Sequence, residues 1–471
     1  MSILHSAAIS ALSPLVVPPS IFRAYDIRGI AGDTLTSSSI EIIGKAMASL
    51  AREEGEQTVL FGSDGRISSP VLRAALLKGV LSTGLNVIDL GTIPTPLLYF
   101  AAHTSEWGSG LMLTASHNPP DYNGIKIIRQ RTCLTPEELQ YIRERADTGK
   151  FVTGKGSLTR MDFKSLYINR LRQDIRLQRR LKVVVDCANA VPGLIAPELF
   201  EALGCDVISL YCEMDGRFPN HHPDPTVAEN MQDIICAVQA HGADLGIALD
   251  GDGDRVVLVT NAGSVIDTDR LLMLLIKDIV PRYENPNVVF DVKCSTLLSP
   301  LIREYGGQPV MSRSGHSFMK QKMQESGAVV GAEFSAHVFI KDRWYGYDDG
   351  MYVGARFLEL LSGQQQTAEE LLRALPQSIV TPELRIVVSD ENKFQLMEQI
   401  KTLASFPHGT INILDGIRVD FADGWGLIRA SNTTPALLLR FEATSGKSLQ
   451  NIQSMFRELL LQVDSMLDFD L

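Results

Sequence analysis

Apolar and polar positions follow the same order three times along the chain, at residues 59–91, 182–210 and 288–311. Each copy opens with a short apolar run and passes through a loop into an amphipathic stretch that has a proline near its start. It then closes on a glycine before a second apolar run. The apolar runs predict buried strands, and the stretch between them predicts a helix that ends at the glycine. The pattern therefore predicts a repeated strand–loop–helix–strand unit.

An aspartate stands near the end of the first apolar run in every copy, as Asp64, Asp186 and Asp291. Units of this kind assemble parallel or mixed sheets with helices on both faces, and ligands meet the loops at the carboxyl ends of the strands. Three such domains can place three loops around one cleft.

The pattern changes after about residue 381. Alternating strands are joined there by Asp415-Gly416 and Asp423-Gly424, which are hairpin signals, and an amphipathic stretch ends the chain. This predicts an antiparallel sheet with helices on one face. We therefore expect an α/β fold with three similar mixed-sheet α/β domains plus a C-terminal α+β domain around a central cleft. The expected domain ranges are 1–162, 163–264, 265–376 and 377–471.

Composition and charge narrow the functional classes. The 471 residues are 45% hydrophobic and 21% charged, which is typical of a globular protein of several domains. The net charge is −11 and no long run of Lys or Arg occurs, which argues against a nucleic-acid partner. A chain of this charge that handles an anionic substrate must concentrate its positive side chains locally.

Three further features predict a cytoplasmic protein that does not associate with a membrane. The apolar stretch at 271–276 is far too short to cross a bilayer and predicts a buried helix. The first twenty residues carry no Lys or Arg before their apolar part, so they predict a loose tail rather than a signal peptide. The six cysteines form no CxxC pair, which suits a reducing compartment.

A serine lies where a predicted strand opens into a stiff loop. Ser116 follows the apolar run of GSGLMLTAS and precedes Asn118-Pro119-Pro120, which can continue neither a strand nor a helix through its middle. Such a turn suits a residue that carries a phosphoryl group, although a serine hydroxyl needs a neighbouring metal or base to act as a nucleophile. Taken alone, this motif is better explained by an ordinary serine in a turn or helix cap.

Three aspartates at alternate positions form the second motif. Asp250, Asp252 and Asp254 are separated by glycines between the apolar stretches ADLGIAL and VVLVT, so their carboxylates can bend toward one hard cation. An EF-hand loop would need Gly and Glu where this chain has Arg255 and Asn261, and it would be flanked by helices. Three solvated carboxylates in one turn would repel one another without a cation, so the motif predicts a metal site.

The chain resembles the α-D-phosphohexomutases, whose signature pair is TASHNP together with DGDGDR. The segments FRAYDIRG, NHHPDP and RASNTTPALLLRFE make the resemblance specific to the phosphomannomutase/phosphoglucomutase branch, and it runs from about residue 21 to the C-terminus. It implies four domains with one loop each around the cleft. It also implies one Mg²⁺, hexose phosphates as substrates, and a phosphoserine that cycles through a hexose 1,6-bisphosphate, which serves as activator.

The resemblance also implies the site residues. It makes Ser116 the phosphoserine, with a phosphoryl oxygen on Ser116 completing the metal shell of Asp250, Asp252 and Asp254. The other implied catalytic residues are Lys126 (proton transfer or charge stabilisation), Arg28 and His316. The implied substrate-binding residues are Tyr25, Arg255, Lys293, Glu333, Ser335, His337, Arg429, Ser431, Asn432 and Thr433. Without the resemblance, an N-terminal arginine such as Arg28 is better explained as surface charge, and a lone histidine as structural.

The loop that would read the sugar departs from the family pattern. The family carries Gly-Glu-x-Ser-Gly-His, whereas residues 332–337 of this chain read Ala-Glu-Phe-Ser-Ala-His. Glu333 and Ser335 can still hydrogen-bond two adjacent sugar hydroxyls. Alanine tolerates a positive φ poorly. Either the loop is strained at Ala332 or Ala336, or it lies in ordinary φ/ψ space where alanine is harmless.

The last motif is RASNTTP, which begins at Arg429. It brings a guanidinium, hydroxyls, an amide and successive backbone N–H groups into one turn, which suits a phosphate dianion. The implied reaction is the reversible interconversion of hexose 1-phosphate and hexose 6-phosphate, with mannose and glucose both acceptable, by a monomeric enzyme. Two alternatives stay open, namely a phosphoglucosamine mutase and a sugar-phosphate-binding protein in which the altered sugar-reading loop has abolished turnover.

Overall fold

The computed structural model of the chain describes residues 17–23, 26–389, 391–431 and 434–469. The predicted N-terminal tail and the predicted site residues Tyr25, Asn432 and Thr433 fall on residues outside these ranges. The described residues form four β-sheets, and helices pack against each of them.

The first unit is a seven-stranded mixed sheet with four helices. Its elements are β1 (Ile27–Ile30), α1 (Ser37–Glu53), β2 (Thr58–Ser63), α2 (Ser69–Leu81), β3 (Asn86–Thr92), α3 (Thr95–Thr104), β4 (Gly110–Leu113), β5 (Tyr122–Arg129), β6 (Thr132–Cys133), α4 (Pro136–Thr148) and β7 (Leu158–Arg160). The strand order is β1-β5-β4-β2-β3-β7, with β6 paired to β5. β5 runs antiparallel to β1 and β4, which places the loop between β4 and β5 beside β1.

The second unit is a five-stranded sheet in the order β12-β11-β10-β8-β9. Its elements are α5 (Lys164–Asp174), β8 (Lys182–Asp186), α6 (Ala196–Ala202), β9 (Asp206–Leu210), α7 (Gln232–His241), β10 (Leu245–Leu249), β11 (Val256–Thr260) and β12 (Val265–Ile266). β12 lies just past the predicted boundary at residue 264 and pairs with β11. The domain boundaries themselves stay a prediction.

The third unit is a four-stranded sheet in the order β14-β13-β15-β16. Its elements are α8 (Thr268–Ile279), β13 (Asn287–Asp291), α9 (Leu298–Glu304), β14 (Gln308–Ser312), α10 (His316–Ser326), β15 (Val330–Glu333), β16 (His337–Ile340), α11 (Gly350–Ser362) and α12 (Ala368–Arg373). Short 3-10 helices lie at Pro19–Ile21, Val191–Leu194, Ala228–Met231 and Val280–Arg282.

The fourth unit is a six-stranded sheet in which the paired strands are antiparallel. Its elements are β17 (Ile379–Val380), β18 (Leu384–Val387), α13 (Lys393–Leu403), β19 (Thr410–Asn412), β20 (Ile417–Phe421), β21 (Gly424–Ala430), β22 (Ala436–Ala443) and α14 (Gly446–Val463). The predicted fold class is confirmed, with three α/β units followed by an α+β unit.

The predicted repeat is present in the first three units. β2 pairs with β3, β8 with β9 and β13 with β14, each in parallel. The glycine between the helix and the second strand has a left-handed φ in each copy, at 86° for Gly84, 97° for Gly204 and 86° for Gly306. Glycine adopts this conformation without a steric penalty, which is why it closes all three units.

One apolar core joins the first three units, while the fourth has its own. The shared core contains α3, α8 and α11, with buried rings such as Phe100, Phe200 and Phe357. The fourth unit meets the third through a small apolar cluster of Val292, Trp425 and Leu427 and through polar contacts. Arg418 Nη1, for example, donates to the carbonyl oxygens of Val292 (2.8 Å) and Cys294 (2.7 Å). The loop after β13 is thereby fixed against the fourth sheet. None of the described helices is long and apolar enough to cross a membrane.

Candidate active site

A cleft of about 420 Å³ lies where loops of all four units meet. Six cationic side chains line it, namely Arg23, Arg28, Lys126, Arg255, Lys293 and Arg429. Three carboxylates line it as well, namely Asp26, Glu333 and Glu383. In a chain of net charge −11, this local excess of positive charge attracts an anionic ligand. A slightly larger cavity of about 480 Å³, near Tyr99 and Lys341, contains none of the predicted site residues.

Ser116 lies in the serine loop (residues 114–120), just past the carboxyl end of β4. The residue is buried and its φ is 49°, so its backbone is left-handed. Its Oγ donates a hydrogen bond to Asp250 Oδ2 at 2.6 Å and lies 3.2 Å from His117 Nδ1. The predicted serine and the predicted metal motif, which are 134 residues apart in sequence, are therefore in direct contact.

The acidic loop (residues 250–255) connects the antiparallel strands β10 and β11. Asp250, Asp252 and Asp254 are all buried, and each offers an oxygen within 4.8 Å of the others. Lys126 Nζ lies 2.7 Å from Asp252 Oδ2 and 2.5 Å from Asp254 Oδ2. Thr95 of the first unit also donates to Asp252 Oδ2, at 2.5 Å. The loop is thus enclosed between the first two units.

The two positions of the acidic loop that carry glycine require it for different physical reasons. A Cβ on Gly251 would lie 2.2 Å from the carbonyl oxygen of Ser116, so only glycine permits this approach between the two loops. Gly253 has a φ of 78°, which glycine adopts readily. The alternation of Asp and Gly therefore reflects both a close contact and a tight turn.

Two observations show that the acidic loop fits a divalent cation. Asp252 Oδ1 and Asp254 Oδ1 are buried and have no hydrogen-bond partner among the described residues, so lone pairs are available for an ion. Burial, together with the charges of Asp252 and Asp254, raises the pKa of Asp250 well above its ordinary value. Crowded buried carboxylates need a compensating positive charge, and oxygen ligands suit Mg²⁺ or Ca²⁺.

A second acidic group shares Asp254 but suits a metal less well. It consists of Asp254, His337 and Asp348. Both ring nitrogens of His337 have neighbours, because Nε2 accepts from Arg255 Nε at 3.1 Å and Nδ1 lies 2.9 Å from Asp348 Oδ2. Asp348 also forms an ion pair with Lys320 at 2.6 Å. His337 Nδ1 and both carboxylate oxygens of Asp348 nevertheless lack a hydrogen-bond partner among the described residues, so free lone pairs do not separate the two groups. What separates them is the neighbour, because the Ser116 hydroxyl contacts Asp250 of the acidic loop.

Lys126 and Arg28 approach the serine loop from neighbouring strands. Lys126 is 4% exposed, which rules out a surface lysine on the edge of the sheet. Burial alone would lower its pKa, but the carboxylates of Asp252, Asp254 and Asp250 raise it above its ordinary value. Arg28 Nε donates to Asp26 at 2.7 Å, and its Nη1 donates to the side chain of Asn118. Arg28 is thereby directed at the serine loop rather than at solvent.

Two histidines stand together on the third unit's side of the cleft. His316 begins α10, and its ring centroid lies 5.4 Å from that of His337. Burial, with Lys320 and His337 nearby, lowers the pKa of His316 well below its ordinary value. Its imidazole is therefore neutral at neutral pH, which is the state that can accept a proton.

The sugar loop (residues 332–337) forms the turn between β15 and β16. Glu333 pairs with His337 across the two strands, and Ser335 Oγ donates to Glu333 Oε1 at 2.6 Å. Lys293 Nζ lies 4.0 Å from the same oxygen. Burial would raise the pKa of Glu333, but Lys293, His337 and the Ser335 hydroxyl lower it below its ordinary value. The carboxylate stays ionised and can accept hydrogen bonds from hydroxyls.

The two alanines of the sugar loop differ in backbone conformation. Ala332 is a regular strand residue of β15, paired with Phe290 and Val338. Ala336 has a φ of 73° and is fully buried, and its carbonyl accepts a hydrogen bond from Val256 N at 3.1 Å. A left-handed alanine costs about 1–2 kcal/mol. The substitution is therefore harmless at Ala332 and strained at Ala336.

The phosphate loop (residues 429–435) joins β21 to β22, and its residues 432 and 433 lie outside the described residues. Arg429 is buried, and its Nε donates to Asp415 Oδ2 at 3.1 Å. Its Nη2 is buried without a hydrogen-bond partner among the described residues. Ser431 Oγ accepts from Thr434 N at 3.1 Å, which tightens the turn. A buried guanidinium with a donor to spare suits an anion.

Several cleft residues were not predicted from the sequence. Asp415 orients Arg429 and also accepts from Ser314 N at 2.9 Å, so it joins the third and fourth units. Its only sequence signal was a hairpin turn. His117 belongs to the quoted TASHNP motif and could have been assigned, because it is adjacent to Ser116. Arg23 likewise belongs to the quoted FRAYDIRG segment, whereas Glu383 lines the cleft without any local signal.

Gly251→Ala should separate the first two units at this contact. The added Cβ would overlap the Ser116 carbonyl, and overpacking of this kind costs about 1–3 kcal/mol. The Thr95 amide, which donates to the carbonyl of Asp252 at 2.9 Å, should then exchange its hydrogen roughly tenfold faster or more. Exchange followed by mass spectrometry measures this. Gly446→Ala, where a Cβ meets open space, is the control, and equal protection in both variants would contradict the argument.

Known proteins give an independent comparison. The four domain descriptions of the phosphoglucomutase/phosphomannomutase family match in order: alpha/beta/alpha domains I, II and III at residues 19–153, 165–263 and 267–379, and the C-terminal domain at 383–459. A phosphomannomutase/phosphoglucomutase of Pseudomonas aeruginosa is 51% identical over 451 residues, covering 96% of this chain and 97% of the relative. A phosphoglucomutase of Neisseria gonorrhoeae is 45% identical, covering 93% of this chain and 96% of the relative.

More distant relatives and solved structures agree. A probable phosphoglucosamine mutase of Methanopyrus kandleri is 32% identical, covering 93% of this chain and 97% of the relative. The crystal structure of a phosphoglucomutase/phosphomannomutase family protein from Burkholderia thailandensis has a TM-score of 0.92 at 43% identity, covering 95% of this chain and 98% of that one. Four matching domains and identities near one half over almost the full length leave one assignment: the chain belongs to the phosphoglucomutase/phosphomannomutase family.

Proposed function

We propose that this protein is a phosphohexomutase that reversibly interconverts hexose 1-phosphate and hexose 6-phosphate, with mannose or glucose as the sugar. The observation that carries the proposal is the 2.6 Å contact between Ser116 Oγ and Asp250 Oδ2 beside a cleft lined by cations from all four units. A serine hydroxyl held against an acidic loop suits a phosphoryl carrier. The names of the relatives at 45–51% identity support the same reaction.

In the proposed reaction the phosphate loop holds the phosphate of the incoming sugar through Arg429 and Ser431, together with Asn432 and Thr433. Phosphorylated Ser116 faces the free hydroxyl at the other end of the sugar. The bond between phosphorus and Ser116 Oγ breaks as a bond to the sugar oxygen forms, and the product is a hexose 1,6-bisphosphate. The bisphosphate turns over in the cleft, and its other phosphoryl group returns to Ser116. The same bisphosphate, acting as activator, would phosphorylate a newly made enzyme.

The side chains around Ser116 have separate tasks in this proposal. His316 is the proposed proton acceptor for the attacking hydroxyl because it lies in the cleft; its lowered pKa keeps the imidazole unprotonated but also makes it a weak base. Lys126 and Arg28 place positive charge against the phosphoryl group, and Lys126 is the alternative proton carrier. Arg255 and His337 hold each other by their 3.1 Å contact beside the acidic loop. Asp250, Asp252 and Asp254, with a phosphoryl oxygen on Ser116, would hold a Mg²⁺, which would supply Lewis-acid stabilisation of the transferring group.

Recognition of the sugar must tolerate both orientations of the intermediate. Glu333 and Ser335 form a pair of polar groups 2.6 Å apart, which matches two adjacent hydroxyls. O3 and O4 exchange places when the sugar turns end over end, so the same pair can bind them in either orientation. Glu333 and Ser335 then do not contact the hydroxyl at C2, which would allow both mannose and glucose phosphates to bind. Lys293, close to Glu333, adds a hydrogen-bond donor to this part of the cleft.

We further propose that the protein works as a cytoplasmic monomer without a nucleic-acid or membrane partner. Its acidic net charge and the lack of a long basic run in the sequence argue against a nucleic-acid partner. The proposed roles of the four units are phosphoserine, metal, sugar and phosphate binding, in chain order. Light scattering of the purified protein measures its molar mass in solution and so tests whether it is a monomer.

A coupled mutase assay with mannose, glucose and glucosamine 1-phosphates tests the reaction. Turnover of mannose or glucose 1-phosphate, faster than that of glucosamine 1-phosphate, supports the proposal. Preferred turnover of the amino sugar would instead identify a phosphoglucosamine mutase. Binding without turnover of any of the three would identify a sugar-phosphate-binding protein.

Ser116→Ala should lower mutase activity at least about 1,000-fold, because loss of a covalent carrier removes the reaction path. The fold should stay intact, since the hydroxyl makes no contact within the apolar core. Intact-protein mass spectrometry of the wild type should show one phosphate that a chase with sugar monophosphate removes. Ser105→Ala, at the end of α3, is the control and should keep full activity. An active Ser116→Ala enzyme would refute the assignment.

Asp252→Asn should weaken Mg²⁺ binding by at least the roughly 10–100-fold that loss of an outer-sphere partner costs. The acidic loop then offers two charged ligands instead of three, and transfer should slow in parallel. Calorimetry of metal binding and steady-state kinetics measure the two effects. Asp267→Asn, an exposed aspartate of the same region, should change neither. Full activity of the chelator-treated, metal-free wild type would contradict the role of the loop.

Ala336→Gly should raise kcat/KM for mannose and glucose 1-phosphates together, by roughly two- to fivefold. Glycine relieves about 1 kcal/mol of left-handed strain in the loop that carries Glu333 and Ser335. The level of Ser116 phosphorylation should not change, because the serine loop belongs to another unit. Ala332→Gly, at the strand position, is the matched control and should not raise either constant. Identical kinetics for wild type and Ala336→Gly would show that the strain has no catalytic consequence.

A further inference from the structure

Arg66 is a buried arginine that lies beneath the serine loop. It stands two residues after Asp64, at the repeat position that Lys293 occupies two residues after Asp291. Lys293 lines the cleft, whereas Arg66 does not. Its side chain is 1% exposed, so it is available neither to solvent nor to a ligand in the cleft. Any role of Arg66 must therefore come from its contacts within the protein.

The guanidinium of Arg66 uses all five of its N–H donors. Nη2 donates to the carbonyl oxygens of Ser116 and Asn118, both at 2.7 Å. Nη1 donates to the carbonyl oxygens of Pro119 at 2.5 Å and Tyr122 at 3.1 Å. Nε donates to Asp64 Oδ2 at 3.1 Å. One side chain therefore binds four backbone carbonyls within a seven-residue segment that includes Ser116.

This segment depends on a side-chain donor for its conformation. Pro119 and Pro120 have no N–H group, so the loop cannot form a regular ladder of backbone bonds. Ser116 has a φ of 49°, which turns its carbonyl away from the direction that β4 would give it. A buried carbonyl without a donor costs about 1–3 kcal/mol. Arg66 satisfies these groups together, and its planar fork fixes their relative positions.

Arg66 is itself fixed from two sides. Asp64 holds it through Nε, while Asp64 Oδ1 accepts from Arg66 N at 3.1 Å and from Ser69 Oγ at 2.8 Å. The guanidinium also lies over the ring of Phe218 in the second unit, 5.2 Å from its centroid. Arg66 therefore connects the serine loop both to the end of β2 and to the unit that carries the acidic loop.

We infer that Arg66 is a positioning residue, which sets the orientation of Ser116 Oγ relative to the acidic loop and the cleft. The inference rests on the proposed phosphoserine function. A carrier that delivers a phosphoryl group to either end of a sugar needs its oxygen at one fixed point, because the sugar moves and the serine does not. A displacement of about 1 Å at a reacting atom can cost roughly 100-fold in rate.

Two substitutions test this role. Arg66→Lys keeps the charge but offers three donors without a planar fork, and Arg66→Met removes the donors while keeping the length. We expect Arg66→Lys to lower kcat and the rate of Ser116 phosphorylation by glucose 1,6-bisphosphate about 100-fold, with KM within about threefold of wild type. Arg66→Met should lose at least as much. The affinity of the unphosphorylated enzyme for glucose 1-phosphate should be unchanged, because the phosphate and sugar loops lie in other units.

Arg73→Met is the matched control. Arg73 lies on α2 of the same unit, forms an ion pair with Asp89 and stacks on the ring of Phe61 at 5.3 Å, but it makes no hydrogen bond to the serine loop. Its kcat should stay within about twofold of wild type. A general effect of removing an arginine ion pair from the first unit would affect both residues, whereas positioning of the serine loop affects Arg66 alone.

Hydrogen exchange of residues 114–124 in the unphosphorylated protein gives a readout that does not depend on activity. These amides should exchange faster in Arg66→Lys and Arg66→Met than in wild type, while peptides of the fourth unit stay unchanged. Wild-type kcat and wild-type exchange in Arg66→Lys would overturn the inference, as would an equal loss of glucose 1-phosphate binding. If Arg66→Met fails to fold, Arg66→Lys decides. If the wild type carries no phosphoserine and shows no turnover, the proposed function is refuted. The exchange data would still show whether Arg66 holds the serine loop in place.

Discussion

The contact between the serine loop and the acidic loop is the constraint on which the rest of the site depends. Two loops from separately built sheets approach until a Cβ on Gly251 would overlap the Ser116 carbonyl. The approach buries three carboxylates and brings Lys126 of one unit against Asp252 and Asp254 of the other. Buried charges of this kind are tolerated only when opposite charges face them. Each loop therefore needs the other loop to hold its conformation and to balance its buried charges.

Contacts between the units explain how four units form one cleft. The first three share an apolar core, which fixes their loops relative to one another, whereas the fourth unit is joined to the third by a small apolar cluster of Val292, Trp425 and Leu427 and by polar contacts. Arg418 and Arg440 donate to backbone carbonyls of residues 292–294, and Asp415 binds both Arg429 and Ser314 N. Polar contacts between domains are easier to rearrange than a continuous apolar core.

The repeat shows how one local structure is used for different purposes. The loops after β2 and β13 each carry a cation two residues past a strand-ending aspartate, but Arg66 faces the backbone of the serine loop while Lys293 faces the cleft. At the same position of the second copy, Ala188 carries no charge and has a left-handed φ of 48°. The repeat position is common to the three copies, but its backbone conformation is not, since Arg66 and Lys293 are not left-handed. Backbone and side chain together decide whether the loop supports the site or forms part of it.

The sequence alone determined the repeat, the change to an antiparallel sheet and the two motifs, because these depend on local apolar periodicity and on residues close together in the chain. It could not separate Ala332 from Ala336, since their difference is a backbone angle set by β15, β16 and the hydrogen bond from Val256. Nor could it reveal Arg66 or Asp415, which are ordinary turn residues until distant carbonyls and guanidinium groups are brought to them. Only the tertiary structure decides such roles, because a buried polar side chain is defined by partners that the chain order does not specify.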